Sequence, residues 1–220
     1  MLVQKLPCLV LLFFALCSSC KKSTLTPVMD DNGCISRIQR DYSDANKTDL
    51  ATAQKLLQDN HIATGNIVVS RVILNDTITT NGPVHILQHV IVQQYANGLP
   101  ILFAQISYHF NNGIFAETTG YLYNNVTLGT TPHTSLPQLR YLFVKASVKD
   151  YQALNKNIAD SCLVAEFGYY DISPNSHGQL VKAWRVTPPK SDYPVAIIQD
   201  DNAKLLLYYN GLLTLNKAGE

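Results

Sequence analysis

The chain has 220 residues, 46% of them hydrophobic and 15% charged, with a formal net charge of +1. That apolar content excludes a disordered polypeptide, and the near-neutral balance excludes a protein that holds nucleic acid by charge. The length suits one domain or two small ones.

The first residues read as a targeting segment, not as part of the fold. Lys5 supplies a positive start, and Leu9 to Leu16 is an apolar run too short to span a bilayer. The stretch Cys17-Ser18-Ser19-Cys20 that follows resembles the lipobox of bacterial lipoproteins, with Cys17 standing where an aliphatic residue is usual. The resemblance implies a signal peptide over residues 1–19, lipid on Cys20, and anchoring to the membrane at the outer membrane or cell surface. Each buried acyl CH₂ contributes about 0.8 kcal/mol to such an anchor. An ordinary secretory signal with an incidental cysteine is the other reading, and it too takes the mature chain out of the cytoplasm. With Cys8 and Cys17 removed and Cys20 lipidated, Cys34 and Cys162 remain, an even number in an oxidising compartment. They are candidates for a disulfide; two separate buried thiols are the alternative.

Residues 20–47 are expected to be a tether and polar N-terminal segment. Thr48 is then the expected N-cap of a helix over Asp49–Asn60, whose Leu50, Ala53, Leu56 and Leu57 share one face. Asn66–Leu74 reads as a strand, Asn75–Pro83 as a turn-rich connector, and His85–Tyr95 as a long strand. Asn97-Gly98 is a hairpin turn, because both central residues of a type I′ turn need φ > 0. In that register Ala96 faces Leu99 and Tyr95 faces Pro100, and the missing N–H of Pro100 points away from its partner. Asn111-Asn112-Gly113 is a second turn of the same kind, so His89 to Tyr123 is expected to form three consecutive strands.

The pattern made by Gln93, Gln94, Tyr95, Asn97, Gly98, Leu99, Pro100 and Ile101, followed by Asn112-Gly113 and Gly120, resembles the propeptide domain of fungalysin- and thermolysin-type metallopeptidases. The likeness covers residues 48–124. Residues 124–135, rich in Thr, Gly and Pro, mark a boundary. A helix over Leu136–Lys156 follows, with Ser135 as cap and an apolar stripe of Leu139, Leu142, Phe143, Ala146 and Val148. Strands are expected at Cys162–Ile172, Leu180–Thr187, Val195–Gln199 and Leu205–Tyr209. The order of these elements, with Trp184-Arg185-Val186 and an Asp at 200 or 201, is similar to the PepSY domain that follows such propeptides. Here no Gly comes after that Asp. The expectation is thus an α+β chain of two small units, residues 48–124 and 125–220, each a helix packed on an antiparallel sheet, the second cystatin-like.

Little in the sequence points to catalysis. His85 and His89 lie four apart on a strand, about 13 Å, too far to share one Zn²⁺ at about 2 Å per ligand. No His-Glu-x-x-His is present, so the peptidase itself is absent. Asp192, Asp200 and Asp201 read as turn formers before they read as Ca²⁺ ligands. The pairs at Tyr121/Tyr123, Tyr169/Tyr170 and Tyr208/Tyr209 read as strand residues split between core and surface. No cofactor and no metal are expected. The resemblance implies a non-catalytic protein that binds or inhibits a secreted metallopeptidase in trans, through an exposed sheet face around Gln93, Gln94, Tyr95 and Pro100. The alternative is a cell-surface binding module with no peptidase link.

Overall fold

The protein is described from a computed structural model, which covers residues 34–78, 85–150, 161–173 and 178–211. The expected signal peptide, Cys20 and the first part of the tether lie outside the described residues. Strand β1 (Ile35–Ile38) is followed by helix α1 (Lys47–Asp59) and by strands β2 (Ile67–Ile78), β3 (His85–Ala96), β4 (Leu99–Asn111) and β5 (Ile114–Thr119). Helix α2 (Leu136–Asp150) leads to β6 (Leu163–Asp171), β7 (Leu180–Thr187), β8 (Val195–Gln199) and β9 (Leu205–Tyr209).

The two hairpin turns use the same device. Asn97 and Gly98 have φ of 50° and 78°, Asn112 and Gly113 φ of 51° and 78°, the left-handed pair that a two-residue hairpin loop needs. Ala96 faces Leu99 and Tyr95 faces Pro100, the register that the turn dictates. Beyond that point β4 bulges: the two steps from Tyr95 to Gln93 on β3 are matched by five steps from Pro100 to Gln105 on β4. The bulge frees Ile101 to pair in parallel with Tyr169 of β6. That approach needs a glycine at 168, where a Cβ would stand 2.5 Å from the Pro100 carbonyl oxygen.

This junction overturns the expected α+β fold of two separate helix-on-antiparallel-sheet units, the second cystatin-like. The structure has one nine-stranded mixed sheet in the order β2-β3-β4-β6-β7-β8-β9, with β5 on β4 and β1 on β6. Strand makes up 46% of the described residues and helix only 17%, so the sheet sets the architecture. The parallel pairings β1·β6 and β4·β6 join residues far apart in sequence and leave no local pattern to read. Ile35–Ile38 falls inside the segment expected to be a polar tether, yet Ile35 is fully buried.

Each helix covers part of this sheet. α1 buries Ala53, Leu56 and Leu57 against Val90, Val92, Ile106, Tyr108 and Phe110. Its N-cap is Asn46, not Thr48: the Asn46 Oδ1 accepts the Asp49 N–H at 2.9 Å. α2 buries Leu139 and Phe143 against Leu163, Phe167, Trp184 and Ile198, while Val148 of its expected stripe is exposed. Fully burying one such Leu or Phe contributes about 1.5–3 kcal/mol. β2 runs through the first part of the expected connector, and the end of the expected second helix lies outside the described residues. The 124–135 stretch is not a spacer. Its Leu128 carbonyl accepts from Tyr169 Oη and Asn97 Nδ2, and its His133 and Thr134 amides reach Asp200. Cys34 and Cys162 are joined as a disulfide, which fixes the start of β1 beside the start of β6.

Candidate functional site

Strand alternation gives the β2–β5 region two faces. One packs on α1. The other carries Arg71, His89, Ile91, Gln93, Gln105 and His109, by the pairings Arg71↔Ile91, Gln93↔Gln105 and His89↔His109. At one end of this open face lies a groove of about 570 Å³, whose lining includes Arg40, Tyr42, Arg71, Phe103, Gln105 and Arg185.

The Phe103–Arg185 wall is unusual in its backbone. Phe103 sits in the β4 bulge with φ of 62°, a left-handed conformation that a bulky residue rarely adopts. Such a residue costs about 1–3 kcal/mol and persists where its surroundings hold it. Its ring is half exposed, edge-on to Tyr170, with the Arg185 guanidinium carbon 5.0 Å from its centroid. Arg185 Nη2 donates to Asp192 Oδ1 at 2.6 Å, and Arg40 Nη1 donates to the same oxygen at 3.1 Å. Asp192 therefore bridges two arginines at the groove rim. Arg71 is exposed and has no ion pair among the described residues.

Behind this wall stands Glu166, 1% exposed. Tyr42 Oη donates to its Oε2 at 2.8 Å, and the Arg40 backbone N–H donates to Oε1 at 3.4 Å. Burial pushes the Glu166 carboxyl above the ordinary range, and Tyr42, Arg40 and Arg185 only partly offset it. Burial and the adjacent Glu166 likewise push the Tyr42 hydroxyl well above its usual value. The Nε atoms of Arg40 and Arg185 are buried without a hydrogen-bond acceptor; that of Arg40 is 3.6 Å from Glu166 Oε2.

A second polar cluster lies at the far side of the sheet. His133, Asp200 and Asp201 bring one imidazole and two carboxylates within metal-binding distance of one another. The centre is already taken by a cation: Lys182 Nζ stands 2.8 Å from Asp201 Oδ1 and 3.3 Å from Asp200 Oδ2. Asp200 also accepts from the His133 and Thr134 amides and from Trp184 Nε1, each at 2.9 Å. Burial raises its carboxyl, but these hydrogen bonds outweigh that and hold it below the usual range. This is a clamp, not a site.

Of the residues singled out as a contact surface, Gln93 borders the groove, whereas Gln94, Tyr95 and Pro100 do not. Gln93 and Gln94 are buried, as is Pro100. The Gln93 amide donates to the Ile101 carbonyl at 2.6 Å, and the Gln94 amide donates to the Tyr121 carbonyl and accepts from the Tyr123 N–H. They tie the bulge and the 121–123 stretch to β3, because unpaired backbone groups inside would be costly. Tyr95 is half-buried, edge-on to Tyr42, and burial raises its hydroxyl. His85 contacts Asn111, while His89 faces His109. The groove residues Arg40, Tyr42, Arg71 and Phe103 carry no motif. Arg185 is legible only within the Trp184-Arg185-Val186 strand that carries the PepSY likeness.

No family model matches the chain, and no curated protein matches its sequence.

Proposed function

We propose that this chain is a non-catalytic, lipid-anchored binding protein that takes a polypeptide segment of a secreted partner into the groove between Arg71 and Arg185. The observation that carries this reading is Phe103: a strained, half-exposed aromatic ring stacked with an arginine at the wall of an open, mixed polar and aromatic groove. Aromatic and arginine side chains are the usual anchors of protein interfaces. The resemblance to metallopeptidase propeptides supplies the partner class, a thermolysin-type peptidase, and lipid on Cys20 holds the groove at the envelope surface.

Titration of the full chain against a thermolysin-type peptidase tests this. Saturable inhibition of peptide hydrolysis is expected. Phe103→Ala and Arg71→Glu each weaken it by about 2 kcal/mol, roughly 30-fold, and Tyr141→Ala on the exposed face of α2 leaves it unchanged. An intact chain that leaves hydrolysis untouched overturns the peptidase assignment.

A further inference from the structure

The open face carries a second arrangement, on the same strands but farther along them from the groove. His89 of β3 and His109 of β4 are register partners, and their Nδ1 atoms lie 2.5 Å apart with the rings edge-to-face. Two imidazole nitrogens at that separation share one proton between two lone pairs that point at the same place. The second nitrogen of His109 is already engaged: its Nε2 lies 2.9 Å from Thr119 Oγ1. An Nε2–H donated to that hydroxyl leaves the His109 Nδ1 as a bare lone pair. This is the outer hydrogen bond by which metal-ligating histidines are oriented.

We infer that His89 and His109 form a binding site for a divalent transition-metal ion of the zinc type. Imidazole suits Zn²⁺, Cu²⁺ and Ni²⁺. Two nitrogens at about 2.0–2.1 Å from a tetrahedral ion stand about 3.3 Å apart, so the pair opens by only about 0.8 Å to admit one. The ion takes the place of the shared proton, which passes through solvent to the His89 Nε2, so both rings stay neutral with one proton each on Nε2 and none is released. Both strands are paired on each side at this level, with β2 flanking β3 and β5 flanking β4, so the ligands sit on rigid backbone. Glu117 is the register partner of His109 on β5 and exposed, which places a carboxylate on the same face. Water completes an open coordination sphere. This site is independent of the groove reading.

The test is a calorimetric titration of the full chain with ZnCl₂, followed in parallel by the ¹⁵N imidazole resonances. A single saturable event is expected, with the His89 and His109 rings the ones that shift. His89→Gln and His109→Gln abolish the event, Thr119→Val weakens it about tenfold through the lost orienting hydrogen bond, and His133→Gln leaves it intact. Because the resonance shifts are read on the unaltered chain, a variant that fails to fold does not blunt the test. No saturable binding at millimolar zinc, or shifts confined to other histidines, overturns the inference.

Discussion

Two buried carboxylates, one on each side of the β7 strand, have opposite fates. Asp200 is ringed by donors: two backbone amides, an indole N–H and an ammonium. Its charge is better held inside the protein than in water. Glu166 is as deeply buried but has one short hydrogen bond, from Tyr42, and an arginine just out of hydrogen-bond range. Its charge is held worse than in water. A fully satisfied buried acid fixes structure, whereas an under-compensated one marks a wall where the fold has kept polar capacity in reserve. The second case is the one that adjoins the groove.

Removing Asp200 should break the comparison most sharply. Asp200→Ala leaves the Trp184 N–H and two amides without their acceptor and removes one of the two carboxylates beside Lys182. An unfolding loss of about 3–5 kcal/mol is expected, read as a lower urea midpoint. Next comes the tether on the Glu166 side. Replacing Cys34 and Cys162 together by serine frees β1, which delivers Arg40 to Glu166, and costs about 2–4 kcal/mol by the same measurement. Its effect on hydrogen exchange should concentrate around Arg40 and Tyr42 and spare the Asp200 clamp.

The smallest and most discriminating effect is in pH dependence. Glu166 is pushed up from its ordinary 4.5, so its contribution is fully present below 4.5 and is lost as pH rises through the higher folded value. Asp200 is held below its ordinary 3.8, so its contribution is present above 3.8 and is lost as pH falls through the lower folded value. Urea midpoints measured from about pH 2 to about pH 8 should show that Glu166→Gln removes a decline on the rising side and Asp200→Asn a decline on the falling side. Equal slopes in the two variants would erase the distinction between clamp and wall.

The parts of this fold that sequence makes legible are local. Asn-Gly pairs announce both hairpins, and the spacing of Ala53, Leu56 and Leu57 announces α1. What stays hidden is set by the β4 bulge. With Ala96 opposite Leu99, an unbroken hairpin would put Ile106 opposite His89; the extra residues around Phe103 put His109 there instead. The same bulge buries Gln93, whose amide is needed by the displaced Ile101 carbonyl. Glutamines and a proline on a hairpin look like surface, and nothing short of the register says otherwise. β1 was hidden for a different reason: a four-residue strand that pairs only with residues 163–166 carries no periodicity of its own.

That last pairing has a consequence in time. Cys34 and Cys162 are separated by 128 residues. At a synthesis rate of about 5–20 residues per second, the β1 strand is made roughly 6–25 s before the strand it must lie beside. The β2–β5 hairpins close on neighbours already made, while Ile35–Ile38 and the preceding Cys34 thiol wait unpaired until β6 arrives. Strand β1 is thus among the first elements synthesised, yet it stays without its partner until most of the chain has followed.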